Sequence, residues 1–186
     1  MGEEMTEMIR IPGFHRINDL VYLFRDLGLK KGAEIGVADG QFSLALCEGI
    51  PGLSLICVDS WRDYGSNPWS RNQQENDAAY NLATKRMAPY NARFIRKFSM
   101  DAVQEIPLES LDFVYIDGNH SYKHVSQDIR EWAKRVRPGG MVSGHDYYRF
   151  RRAGVMPAVD EYVLANNIEK VYLADEKESS FWWTKP

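Results

Sequence analysis

Two pairs of acid and imidazole side chains, Asp117 with His120 and His145 with Asp146, stand at the ends of two short apolar runs, FVYI (113–116) and MVSG (141–144). Carboxylates and imidazoles are the groups that hold divalent cations and move protons near neutral pH. A helix-length segment of about 20 residues separates the runs, the spacing of two parallel strands joined by a crossover. Both pairs then fall at carboxyl ends of neighbouring strands, where open α/β sheets bind ligands, and they face one crevice.

A second chemical segment is AEIGVADGQFSLAL, which reads as a strand, a glycine turn and a helix start. Gly36 and Gly40 supply conformations or close approaches that a Cβ would block, and Ser43 lies in the first helical turn, where free N–H groups and a hydroxyl hold anions. The spacing is G-x-x-x-G, not the G-x-G-x-x-G of a dinucleotide site. Asp59 ends the following strand, LICVDSW, about 20 residues beyond the glycines, where a carboxylate accepts hydrogen bonds from both ribose hydroxyls; a capping or turn aspartate is the plainer reading. In KFSMDA, Ser99 and Asp101 occupy a third strand end within reach of an adenine edge, and Ser99 is equally a helix N-cap.

The elements that must position these residues follow from hydrophobic periodicity. Strands are predicted at about 32–38, 53–58, 92–98, 111–117, 140–145, 168–173 and 180–184, and helices near 41–49, 71–88, 100–105, 122–136 and 154–166. This alternation describes a parallel sheet covered on both faces. Pro138-Gly139-Gly140 marks a turn into the fifth strand. The last two strands are too close for a helical crossover and form an antiparallel hairpin. In FHRINDLVYLFRDLG, Phe14, Ile17, Leu20, Val21, Phe24 and Leu27 make one apolar helix face that Gly28 ends. The organisation expected is one domain: an amphipathic helix within residues 1–30 packed on a domain of residues 31–186.

The chain has 186 residues, a formal charge of −3 and a pI near 5.8, which provide no global field for nucleic acid or an anionic membrane. Arg149, Arg151 and Arg152 read either as a local basic patch that receives a substrate carboxylate or phosphate or, more plainly, as a solvated loop. No apolar run approaches the ~18 residues that would span a bilayer, and the acidic start MGEEMTEM is unlike a signal peptide although MGEEMT fits the bare myristoylation pattern. The expectation is a cytoplasmic protein with no nucleic-acid or membrane partner. Cys47 and Cys57 fit no metal or disulfide spacing and read as buried hydrophobes. The loop WRDYGSNPWSRN, with Trp61, Tyr64, Gly65, Pro68 and Trp69, reads either as a substrate lid or as rings packed on the sheet edge. His124 reads as a solvated helix residue, and His15 carries no special signal.

In register, these segments resemble the class I S-adenosylmethionine-dependent methyltransferases, especially a small group with D-G-x-H-x-Y (from Asp117) followed by G-G-x-x-x-G-H-D-Y (from Gly139). The resemblance covers about residues 30–184. It implies a three-layer, Rossmann-like α/β fold with a seven-stranded, mostly parallel sheet and an antiparallel C-terminal hairpin. It implies S-adenosyl-L-methionine as cofactor, lined by Glu34, Gly36, Asp39, Gly40, Asp59, Ser60, Trp61, Ser99 and Met100, with Asp117 beside it; Ser43 sits one position later than the serine of catechol-type relatives. The related metal-dependent O-methyltransferases hold a cation at positions matching Asp117, His145 and Asp146, here with a histidine where an Asp-Asp or Asp-Asn pair is usual. Carboxylates suit Mg²⁺, and the imidazole shifts the preference toward Mn²⁺, Fe²⁺ or Zn²⁺. Asp117 and His120 are then the catalytic pair, with His120 taking the proton of an acceptor hydroxyl that a cation has acidified. Plainer roles exist for each: His120 bonding its loop, His145 orienting Asp146, Asp117 satisfying backbone donors or holding the cofactor. The implied reaction is O-methylation of a small hydroxylated or sugar-like substrate. A metallophosphoesterase, which shares G-N-H and G-H but would need an absent upstream D-x-H and G-D-x-x-D, and a non-catalytic S-adenosylmethionine-binding protein are the alternatives. A homo-oligomer is left open.

Overall fold

The computed structural model describes residues 6–63, 71–149 and 154–186. The expected lid residues Tyr64, Gly65, Pro68 and Trp69, and the basic residues Arg151 and Arg152, lie outside them; Arg149 is exposed.

Strands whose side chains are apolar on both faces must be covered on both faces. In β3 (Ser54–Asp59) and β5 (Leu111–Ile116), alternate residues supply two separate cores. Ile56, Val58, Val114 and Ile116 pack with α4 (Ser99–Ala102), α5 (Tyr122–Ala133) and α6 (Val155–Ala165) on one side. Leu55, Cys57, Phe113 and Tyr115 pack with α1 (Val21–Asp26), α2 (Gln41–Gly49) and α3 (Gln73–Met87) on the other. The result is the expected three-layer α/β architecture. Cys47 and Cys57 are buried in the second core, and burial pushes the Cys47 thiol up to about 12.

Eight strands, not seven, form the sheet among the described residues, in the order β1-β7-β8-β6-β5-β2-β3-β4. The remaining strands are β1 (Glu7–Ile11), β2 (Lys31–Ile35), β4 (Asn91–Arg96), β6 (Val136–Gly144), β7 (Lys170–Ala174) and β8 (Phe181–Thr184). The additional strand, β1, pairs parallel with β7 at the sheet edge. Met8 and Arg10 on one face are exposed while Ile9 and Ile11 on the other are half-buried, as suits an edge strand with one face exposed. β8 runs antiparallel between β6 and β7, so the C-terminal hairpin is present. Pro138 to Gly140 does not precede β6 but bulges within it, with the register to β5 shifting between Leu111 and Phe113. Gly139 there has φ +74°, a conformation a bulge assigns to glycine.

The N-terminal helix is shorter than its pattern. A π-helical turn (Arg16–Leu20) leads into α1, and Leu20, Val21 and Phe24 are buried while Ile17 and Leu27 are about half exposed. No helix among the described residues is long and apolar enough to cross a membrane.

β2 pairs with β3 on one side and with β5 on the other, so the chain order reverses between β2 and β5. The crevice beyond their carboxyl ends is the topological switch point where ligands bind in such sheets.

Candidate active site at the carboxyl edge of the sheet

Gly36 follows β2 with φ +93°, and a Cβ there would stand 2.1 Å from the Asp117 carbonyl oxygen. Only glycine lets the ends of β2 and β5 approach this closely. The Asp117 N–H donates to Ile35 O (2.7 Å) and the Gly36 N–H to Val58 O (2.8 Å), binding three strand ends together. Asp59 then joins two loops: its Oδ2 accepts from the Ala38 N–H (3.0 Å) and its Oδ1 from the Trp61 N–H (2.9 Å). Burial pushes its pKa up, against those backbone donors.

Ser60 is buried, and Trp61 is 1% exposed. The Trp61 ring packs on Tyr80 (4.9 Å) and Phe94 (5.9 Å) and its indole N–H donates to Ala38 O (2.8 Å). The ring therefore supports the loop from the core side, as in the sheet-edge packing alternative. Ser43, fully buried on α2, donates its hydroxyl to the carboxyl of Glu34. Glu34 is 2% exposed, and burial raises its pKa to about 8. Asp39 pairs with Arg86 of α3 (2.9 Å), and Gly40, at φ +79°, would bring a Cβ to 3.1 Å from Ala83 of the same helix.

The acid–imidazole pairs converge as their spacing predicted. His120 Nε2 lies 3.4 Å from Asp117 Oδ1 and 3.1 Å from Asp146 Oδ2. His145 Nδ1 lies 3.8 Å from Asp117 Oδ1 and 3.3 Å from Asp146 Oδ1. One ligand atom from each of Asp117, His120 and Asp146 falls within 4.8 Å of the others. Two carboxylates alone would suit Mg²⁺, and the imidazole beside them shifts the fit toward Mn²⁺, Fe²⁺ or Zn²⁺. The imidazole in this tightest set is His120, with His145 beside it. Asp146 holds φ +63°, the left-handed region that aspartate tolerates better than most residues. The His120 loop is fixed from α6, whose preceding Gly154 N–H donates to His120 O (2.8 Å).

Charge sets the protonation of this group. Burial would lower the His120 pKa, but Asp117 and Asp146 outweigh it and hold the imidazole above its ordinary value. Burial would raise Asp146, but the hydrogen bond from His145 and the nearby charges of His120, His145 and Arg16 hold it below its ordinary value.

Arg16 escaped the sequence reading. From the N-terminal π-helical turn its Nη1 reaches Asp117 Oδ2 (3.2 Å), with the guanidinium 5.3 Å from the Phe42 ring centroid. Its backbone N–H donates to Glu176, and His15 Nδ1 lies 3.6 Å from the same carboxylate. His124 instead bonds Ser121 Oγ (2.7 Å) at the surface.

On the other flank of the rim, Ser99 opens α4 immediately after its N-cap Phe98. Its hydroxyl donates to Asp128 of α5 and accepts from the Trp132 indole N–H (2.8 Å). Met100 packs partly buried against the core, and Asp101 is exposed. Asp128 also escaped the sequence reading. It is 4% exposed, and burial raises its carboxyl to about 6.

Among known proteins, residues 33–147 match a family described as a methyltransferase domain. Uncharacterized protein R132 of Acanthamoeba polyphaga mimivirus is 28% identical over 155 residues, covering 81% of this chain and 66% of that protein. Uncharacterized protein y4gI of Sinorhizobium fredii is 24% identical over 136 residues, covering 68% of this chain and 14% of that protein. The chain thus spans less than two thirds of the length of either relative. Among solved structures, the O-methyltransferase NovP superposes with a TM-score of 0.67 at 18% identity, over 91% of this chain and 77% of that one. An O-methyltransferase from Bacillus cereus in complex with SAH gives 0.65 at 16% identity, over 89% and 79%. At these identities the likeness is one of fold.

Proposed function

Because the chain belongs to the methyltransferase domain family, we propose that it transfers a methyl group from S-adenosylmethionine to an oxygen of a small hydroxylated or sugar-like molecule, with a divalent cation at the acid–imidazole cluster. One observation carries this reading: Asp117, His120 and Asp146 converge within 4.8 Å on the rim that also holds the glycine loop and Asp59. The Bacillus cereus structure, similar in fold, holds SAH. A metallophosphoesterase would leave the glycine loop and Asp59 without a role. The net charge of −3 gives no field to gather nucleic acid.

Each residue has a task in this reading. Asp59 accepts from the Ala38 and Trp61 N–H groups, with the Ser60 N–H contributing as well, and a carboxylate has about four lone-pair sites, so acceptor capacity remains for a ribose hydroxyl. Gly36 and Gly40 bring backbone close to the ligand, with Ser60, Ser99, Met100 and Asp117 along the same rim. Glu34 with Ser43, Asp39 with Arg86, and the Trp61 ring hold the loop from behind. Asp117 and Asp146 supply oxygen ligands, His120 supplies nitrogen, and His145 orients Asp146. A cation bound there would supply acidification of the acceptor hydroxyl. The remaining contribution of the chain is alignment of acceptor oxygen, methyl carbon and sulfur in a site closed to water.

A second reading rests on His120 facing both carboxylates while Arg16 already neutralises Asp117. In it His120 takes the hydroxyl proton with no cation present. Paramagnetic resonance of Mn²⁺ with the full chain and S-adenosylmethionine separates the two. The first requires one bound Mn²⁺, weakened at least ~10-fold by Asp146→Asn as outer and inner ligand losses usually are. Full turnover in chelator that His120→Ala abolishes would replace it with the second, and full turnover surviving both treatments would reject both.

A further inference from the structure

Asp117 divides its two oxygens between two sides of the rim. Its Oδ1 faces the imidazoles of His120 (3.4 Å) and His145 (3.8 Å), and its Oδ2 takes the Arg16 guanidinium at 3.2 Å. Arg16 therefore already places a positive charge on a carboxylate that a divalent cation would also use. Two cations on one carboxylate repel each other, and with the Arg16 and Asp117 side chains only 24% and 22% exposed, water screens that repulsion only in part.

A second carboxylate stands at the root of the same arginine. Glu176, in the loop between β7 and β8, accepts the Arg16 backbone N–H, and its charge also acts on the guanidinium. The neighbouring Asp175 is already engaged by the Gly13 N–H (3.0 Å). The backbone ahead of Arg16 is fixed to the same hairpin: Phe14 O accepts from the Asp175 N–H (2.9 Å), the Phe14 ring stacks on Trp182 (4.7 Å), and β1 pairs with β7. A shift of the Arg16 charge thus falls to its long, flexible side chain. Its departure from Asp117 orphans no buried group, because the fully buried Tyr115 hydroxyl that interacts with the guanidinium also lies 3.0 Å from Ser180 Oγ.

We propose that Arg16 is a two-position counter-ion, resting on Asp117 while the acid–imidazole cluster lacks a divalent cation and moving to Glu176 when one binds. The inference rests on the divalent-cation reading of the cluster. Arg16 then offsets the repulsion between Asp117 and Asp146 in the cation-free protein. Loading of the cluster comes to depend on Glu176, a residue outside the cation-ligand set.

The test is Mn²⁺ binding to the full chain by paramagnetic resonance, in wild type, Arg16→Gln, Glu176→Gln and the double variant, with thermal melting to establish that each is folded. With the receiving carboxylate removed, Arg16 stays on Asp117, so Glu176→Gln is expected to weaken Mn²⁺ binding about threefold to tenfold, the lower range of couplings between residues in contact. In the Arg16→Gln background the same substitution should change affinity less than about twofold, because all that remains is the screened field of one partly exposed charge. Glu176→Asp separates contact from field. It keeps the charge and shortens the reach, so it should weaken Mn²⁺ binding only where Arg16 is present, and it carries the test if Glu176→Gln does not fold. A loss of equal size with and without Arg16, or Mn²⁺ affinity unchanged by substitution of Glu176, overturns the inference alone. A folded wild type that binds no Mn²⁺ overturns the divalent-cation reading and this inference with it.

Discussion

Glu34 gives the most quantitative consequence of the structure. It sits in the middle of the sheet, 2% exposed, with the Ser43 hydroxyl donating to it, and its pKa is raised from an ordinary 4.5 to about 8 by burial. The unfolded chain releases this proton near the ordinary value, so between the two pKa values the native state binds more protons than the unfolded state. Stability from this group is therefore fully present below pH 4.5 and is lost as pH rises through 8. At 1.36 kcal/mol per unit, the loss between about pH 5 and pH 7.5 is roughly 3 kcal/mol. Glu34→Gln keeps the shape and an acceptor for Ser43 but cannot ionise, so it removes this slope. Urea denaturation of ligand-free wild type and Glu34→Gln at several pH values reads it directly. The variant is expected to gain about 3 kcal/mol on the wild type from pH 5 to pH 7.5. Parallel stability profiles would show that Glu34 titrates normally and that its environment is not as described.

The close approach at Gly36 makes Gly36→Ala costly. A Cβ 2.1 Å from a backbone oxygen, on a residue at φ +93°, combines left-handed strain with overpacking, together about 3 kcal/mol in urea denaturation. A loss below about 1 kcal/mol would contradict the geometry. Arg16→Ala removes a cation lying 3.2 Å from Asp117. If a metal occupies that carboxylate, Mn²⁺ affinity by paramagnetic resonance should rise several-fold to about tenfold, the scale of the ~1 kcal/mol between charges about 4 Å apart in a water-like dielectric; unchanged or weaker binding would argue that Arg16 and the cation do not compete.

Much of this fold is legible in the sequence because its central strands are buried on both faces. Apolar runs such as LICV and FVYI announce strands, and their terminal aspartates announce the rim. The acid–imidazole convergence follows from the parallel crossover alone, before any side chain is placed. The missed features depend on tertiary context. β1 is a five-residue edge strand, EMIRI, with no strict polar–apolar alternation, and hydrogen bonding to β7 across the length of the chain decides it. Arg16 acts through a long side chain reaching from a π-helical turn, which apolar periodicity does not encode. Asp128 reads as one more polar residue of an amphipathic helix, and only the packing of α5 beside α4 turns it inward onto Ser99. Trp61 was legible as a residue of the loop after β3, but the fate of its ring, inside with Tyr80 and Phe94, required coordinates.

The central claim is that a nucleoside-bearing methyl donor lies over the Gly36 loop with its ribose on Asp59. Titration calorimetry of the full chain with S-adenosylmethionine and S-adenosylhomocysteine, repeated on Asp59→Ala, measures this most directly. The expected result is one site per chain for both ligands, with affinity falling at least ~10-fold in the variant as charge-assisted hydrogen bonds are lost. Wild-type protein that binds neither ligand, or an Asp59→Ala variant that binds both unchanged, would contradict it.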